Sequence, residues 1–249
     1  MIHSWMFGNK PQGWPIDAYM KLLLHMDGAD QSTTFTDSSL SPHTMTAKGA
    51  AKLVTANYYF PPSSGLFVTG GADYVESADS TDWIFDAGNG SPFTVDFWMR
   101  ITDISSISGF FGYGTKGIAG GLGFYHNGAT NLIYFVFTND TGAVNLLRFT
   151  APFSPTQNVW YHLALVRIDS GNSASSWRIF IDGMSQTLTL VQGSWSAYLV
   201  AYPGGVFTLA MESGAVGYTM KGNIDEFCVS KGIARWTNNF TPPTKPYGA

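Results

Sequence analysis

The sequence predicts an all-β fold, a two-sheet antiparallel sandwich of jelly-roll type led by an irregular N-terminal arm. Three observations carry this. Short apolar and β-branched runs recur with Gly- and Asn-bearing turns between them. No segment of ten or more residues shows an apolar i, i+3, i+4, i+7 stripe, so helices are confined to single turns. The 249 residues suit one large all-β domain, and the absence of an internal repeat argues against a propeller or solenoid.

Residues 1–18 form the arm. They hold Trp5, Phe7 and Trp14 among Gly8, Pro11, Gly13 and Pro15, with a period of neither 2 nor 3.6. Aromatic side chains in an irregular segment dock on something, either the domain's own surface or a neighbour. The domain, residues 19–249, begins with Tyr19-Met20-Lys21-Leu22-Leu23-Leu24-His25-Met26, a run suited to a strand covered on both sides. Leu66–Val68 and Tyr74–Glu76 flank Thr69–Asp73, which reads as a Gly-rich hairpin connection. Phe93–Ile101 alternates, so that Phe93, Val95, Phe97, Met99 and Ile101 face the core and Thr94, Asp96, Trp98 and Arg100 face away.

Strands are expected next at Phe110–Tyr113, Gly123–His126, Leu132–Thr138 and Val144–Phe149, and Gly117 to Gly123 reads as a hairpin turn. Trp160–Arg167 and Trp177–Gly183 make a pair, with Asp182-Gly183 as a strong turn signal. Val206–Ala210 and Met220–Ser230 complete the set. Asn57 to Ser64 and Gln192 to Gly205 are the long loops, the second unusually aromatic for a connector with Trp195, Tyr198 and Tyr202.

Charged residues are only 12% of the chain against 45% apolar, about half the usual charged share. A surface so poor in charge is covered by small polar residues or by other subunits. The net charge of −4 offers no electrostatic footprint for phosphates, so nucleic acid is not an expected partner. Cys228 is the single cysteine, which rules out an internal disulfide and reads as a packed small apolar residue. Residues 1–10 lack the features of a secretory signal, and nowhere do enough apolar residues run together for a membrane-spanning helix.

Five stretches in order resemble the laminin-G-like, concanavalin A-like domains: Leu22–Gly28, Phe93–Trp98, Trp160–Arg167, Ile179–Gly183, and the terminal block Gly222–Ser230, Lys231–Trp236 and Asn239–Thr244. Together they span about residues 20 to 245, leaving the arm outside. The opening Leu23-Leu24-His25-Met26-Asp27-Gly28-Ala29-Asp30 with Thr34–Ser39 is similar to the version common in tailed-phage structural proteins. The resemblance implies the jelly-roll fold and a virion setting; it does not fix the function, because such domains occur in lectins, enzymes, adhesion proteins and virion parts.

The chemistry of the residues narrows the choice. Related sandwich glucanases use closely spaced carboxylates, whereas Glu76, Glu212 and Glu226 lie far apart in this sequence. Asp225 and Glu226, as neighbours on a strand, are expected on opposite faces. Gly-x-Ser-x-Gly is absent, and His3, His25, His43, His126 and His162 read as edge or loop residues. A structural calcium site is the sharpest cofactor expectation, with Asp27 at the end of the first core strand and Asp225 in the last as its carboxylates; the alternative is that Asp225 caps backbone amides or pairs with Arg167 or Arg235. A sugar site needs aromatic faces with polar groups beside them. Its candidates are Trp195, Tyr198 and Tyr202 and, as second choice, Tyr125, His126 and Asn127, set against the reading that most aromatic residues of an all-β domain are core.

The expected function is a non-catalytic phage virion protein. It would be displayed on the capsid as decoration or on tail parts, attached by the arm, paired through edge strands into a homo-oligomer such as a trimer, and able to bind glycans. The alternative is a carbohydrate-binding adhesin or receptor-binding tail component that recognises host surface glycans.

Overall fold

A computed structural model describes residues 14–68, 72–114, 121–138, 145–199, 204–212 and 218–249. Its strands are β1 (Met20–Leu24), β2 (Thr46–Lys48), β3 (Lys52–Val54), β4 (Ser64–Phe67), β5 (Tyr74–Ser77), β6 (Phe93–Ile101), β7 (Ile107–Gly114) and β8 (Gly121–Asn127). They continue with β9 (Leu132–Thr138), β10 (Asn145–Pro152), β11 (Trp160–Arg167), β12 (Trp177–Ile181), β13 (Met184–Ser185), β14 (Thr189–Gly193), β15 (Val206–Leu209) and β16 (Gly222–Lys231). Only two single 3-10 turns interrupt them among the described residues.

The strands form two antiparallel eight-stranded sheets. Sheet A runs β13-β12-β11-β6-β16-β4-β3, with β1 also on β16, and sheet B runs β14-β10-β9-β8-β7-β15-β5-β2. The all-β two-sheet jelly roll expected from the sequence is the observed architecture. Alternation on β6 is as expected: Phe93, Val95, Phe97, Met99 and Ile101 all enter the core between the sheets. There they meet Phe111, Phe124, Phe135 and Phe149 from sheet B, each such ring stabilising the fold by roughly 2–3 kcal/mol on burial. The pair β11 and β12 is antiparallel in the expected order, and Cys228 is buried.

Four expectations need correction. Residues 66–68 and 74–76 do not make a hairpin, because β4 belongs to sheet A and β5 to sheet B. Phe67 and Val75 both point inward, from opposite layers. Gly121 and Gly123 belong to β8 rather than to a turn; the rest of the glycine-rich stretch, residues 115–120, lies outside the described residues. His126 and His162 are buried within strands, not at edges or loops. The last correction concerns β16. Its register against β6 shifts between Asp225 and Cys228, and Glu226 has φ 47°. This bulge sets two residues between the core-facing Ile224 and Phe227, so Asp225 and Glu226 share the outer face of sheet A.

That outer face is roofed. Tyr59 stacks on Trp98 at 3.4 Å between ring centroids, and Trp236 and Phe240 stack beside His162. Beneath them Asp96 accepts from the Tyr247 hydroxyl and lies 3.3 Å from His162 Nε2. Trp14, assigned to the arm from sequence, packs 6.3 Å from Trp236, and Asp17 holds Arg235 with two 2.8 Å bonds. The described end of the arm therefore docks on the domain itself. Trp5 and Phe7 lie outside the described residues.

Candidate functional site

The outer face of sheet B is built differently. A hairpin folds across it: Met211 bridges Thr219, Glu212 N donates to Tyr218 O at 3.1 Å, and Ala210 N donates to Phe110 O at 2.7 Å. Its approach is possible because the strands below present glycines. A Cβ on Gly109 would fall 2.0 Å from Tyr218 O, and one on Gly123 would fall 2.5 Å from Glu212 Cγ. The hairpin thereby lays Glu212 and Tyr218 onto strands β7 and β8.

Beside it runs a stacked column. Tyr125 and Tyr134 are register partners on β8 and β9, and their rings are parallel with centroids 5.0 Å apart. Tyr218 stacks on Tyr125 at 6.3 Å, and the Arg148 guanidinium from β10 lies 5.0 Å over Tyr134 at the other end. Tyr125 and Tyr134 are buried, whereas Tyr218 is 39% exposed and leaves the end of the column open. Hydrogen bonding in the group is incomplete. Glu212 Oε2 and Arg148 Nε are buried with no partner among the described residues. Burial pushes the Glu212 pKa up to about 7, against the pull of Arg148. Burial and then the Glu212 charge push the Tyr125 hydroxyl to about 12. An unpaired acceptor, an unpaired donor and an open aromatic face within one patch are what a polyhydroxylated ring can satisfy.

The expected site residues are distributed unevenly around this patch. Tyr125 belongs to it. His126 faces the other way, edge-on to Phe153, where burial lowers its pKa. Asn127 Oδ1 caps the following turn by accepting from Ala129 N. Trp195 packs on Phe149 at 5.2 Å, and its carbonyl accepts from Trp177 Nε1. Tyr198 lies across Gly90 and over Arg167, which is fully buried with Asp86 at 3.2 Å. That segment straps a buried ion pair, with Ala197 O and Leu199 N bonded to its two members. Tyr202 lies outside the described residues.

Asp27 and Asp225 are brought to one side of sheet A by the pairing of β1 with β16. Asp225 Oδ2 accepts from Tyr59 N and Phe60 N at 2.8 and 2.9 Å, while Oδ1 is buried without a partner among the described residues. Burial, with Glu226 and Asp27 adding to it, raises the Asp225 pKa to about 8 against the pull of those two amides. Glu226 is committed to His25 at 2.6 Å and to Tyr247 N at 3.1 Å. Calcium takes about six to eight oxygens. Among the described residues no three His, Cys, Asp or Glu side chains are grouped to hold a metal. Asp225 Oδ2 caps these backbone amides, whereas Arg167 and Arg235 pair with Asp86 and Asp17.

Residues 69–234 match the family described as the concanavalin A-like lectin/glucanases superfamily. The chain belongs to this superfamily. No curated protein matches it in sequence. Among solved structures it is similar to the botulinum neurotoxin serotype G binding domain, with a TM-score of 0.59 and 14% identity over 87% of this chain and 48% of that one. The botulinum neurotoxin serotype D/C VPI 5993 binding domain gives 0.58 at 15% identity over 90% and 50%. A structure described as the receptor binding domain gives 0.59 at 13% over 90% and 49%. The chain thus spans about half the length of these structures, and at such identities the likeness is one of fold.

Sequence reasoning missed Arg148, Tyr134 and Tyr218 and weighed Glu212 only as an unpaired glutamate. The available signal was the glycine spacing: Gly109 and Gly123 on neighbouring strands leave room for the backbone of Tyr218 and the side chain of Glu212 to approach the sheet.

Proposed function

We propose that this chain is a non-catalytic recognition module that binds a carbohydrate on the outer face of sheet B. The observation that carries the reading is the Arg148–Tyr134–Tyr125–Tyr218 column flanked by the unpartnered Glu212 Oε2 and Arg148 Nε. A sugar stacked on the exposed Tyr218 ring extends the column at its open end, beside Glu212 as the hydrogen-bond acceptor. Membership of a superfamily that includes lectins as well as glucanases allows this reading, and the fold neighbours described as binding domains support it.

Glycosidases of either stereochemistry need two carboxylates within about 5–10 Å. The other glutamate on this face is Glu76, whose row runs through Thr208 and Gly112 to Gly123, three strand spacings or roughly 14 Å away. It is also paired with Lys48 at 2.9 Å. These distances favour binding over hydrolysis. The setting we propose is the outside of a tailed-phage particle, as capsid decoration or tail component, supported by the opening sequence pattern that resembles phage structural proteins. A glycan array is the test. Binding in the millimolar-to-micromolar range that is lost in Tyr218→Ala and unaffected by Trp195→Phe supports the reading. Binding indifferent to Tyr218, or release of reducing ends from a bound polysaccharide, overturns it.

A further inference from the structure

We infer that His126 is an acid-triggered switch: a proton on its ring loosens strands β7 and β8 from behind and frees the hairpin that they seat. The step concerns the fold alone and holds whether or not this face binds a sugar.

His126 and Ser108 are register partners on β8 and β7, which sets their Cβ atoms about 5 Å apart on one face of the sheet. That face is turned away from the hairpin, and His126 is 0% and Ser108 1% exposed. Ser108 Oγ and both ring nitrogens of His126 are buried with no hydrogen-bond partner among the described residues. Such a group of three is rare, since roughly nine in ten buried polar groups are bonded. A neutral imidazole bears the loss at modest cost. A cation does not, because a buried charge needs a partner.

The groups that face the ring offer none. Ile133 is its register partner on β9, Phe153 lies edge-on to it at 5.5 Å, and Tyr161 from β11 stands edge-on to Phe153. The Tyr161 hydroxyl already accepts from Thr156 N. The Phe153 backbone is the one polar group that favours the charged ring, and burial outweighs it, holding the pKa below the ordinary 6.5. Among the described residues no charged side chain acts on it. Glu212, Arg148 and Tyr125 belong to the opposite face of the sheet, and there acid works the other way by neutralising the buried Glu212 carboxylate.

The position of the ring decides what its protonation disturbs. Gly109, next to Ser108, is where the Tyr218 carbonyl rests, and Phe110 O beyond it accepts from Ala210 N at 2.7 Å. Tyr125 adjoins His126 on β8. The protonated ring carries two N–H donors; Ser108 Oγ can accept from one, and the other draws the ring out towards water, so the two strands part. Opening restores the ordinary histidine pKa. The closed form is therefore fully stable above pH 6.5, and from there down to the lower folded value each pH unit makes opening about tenfold more frequent.

Amide hydrogen exchange of the full chain, expressed as protection factors from about pH 7.5 to about pH 4.5, tests this, with the His126 ring followed by NMR. The amides of β7 and β8 and that of Ala210 should lose protection at least tenfold as the pH falls while those of β6 and β16 keep theirs, and the His126 ring should titrate below 6.5. His126→Phe should hold protection constant over the range, and His126→Gln provides a second non-titrating variant where the phenyl ring does not pack. Protection lost equally in both variants, a loss shared evenly by the two sheets, or a His126 ring that titrates at or above 6.5 overturns the proposal.

Discussion

Asp225→Asn should stabilise the protein, and increasingly so as pH rises. The wild-type carboxyl is buried in the β16 bulge, its Oδ1 has no partner among the described residues, and Glu226 and Asp27 stand near it. Its pKa is raised from 3.8 to about 8. A carboxyl with a raised folded-state pKa holds its proton in the folded chain while the unfolded chain has released it, so stability is full below pH 4 and declines from there towards pH 8. About four pH units at about 1.36 kcal/mol each set an upper bound near 5 kcal/mol on that decline. Relaxation of the bulge and partial hydration reduce it to roughly 2–3 kcal/mol. Asn keeps an oxygen for the Tyr59 and Phe60 amides and places an NH2 where Oδ1 faces the neighbouring acids. Urea unfolding at pH 5 and pH 8 measures the effect. The variant should gain about 2 kcal/mol relative to wild type between the two pH values, and parallel pH profiles would refute the assigned burial cost.

Three further outcomes are expected. Gly109→Ala puts a methyl 2.0 Å from Tyr218 O, so the hairpin must lift from sheet B; sugar binding should fall at least tenfold while far-ultraviolet dichroism stays that of a β protein. Glu212, with a pKa near 7, accepts a sugar hydroxyl better when ionised, so affinity should rise several-fold from pH 6 to pH 8 in calorimetry, and Glu212→Gln should abolish that pH dependence. Deleting residues 1–13, which leaves Trp14 and Asp17 on the domain, should keep the melting temperature within a few degrees yet remove attachment to phage particles in a co-sedimentation assay.

The sheet layers were legible in the sequence because strand alternation is a local signal: β6 shows its core face in nine consecutive residues. What was not legible depends on non-local geometry. The bulge at Asp225 arises where β16 changes its neighbour from β4 to β1, and nothing in Ile224-Asp225-Glu226-Phe227 announces it. The sugar-site candidates Trp195 and Tyr198 were chosen for being aromatic and in a loop, but that loop serves the buried Arg167–Asp86 pair, whose members lie 81 residues apart. Tyr125 entered the candidates because it borders a turn. Its partners Tyr134, Arg148 and Tyr218 come from three other segments, and only the pairing of strands brings them together.

The recognition surface itself is most directly tested by side-chain NMR during titration with a sugar identified on an array. The Tyr125, Tyr134 and Tyr218 ring signals and the Arg148 Nε–H signal should shift together and saturate with one dissociation constant. Shifts confined to Trp195 and Tyr198, with the tyrosine column silent, would place the site elsewhere and contradict the account.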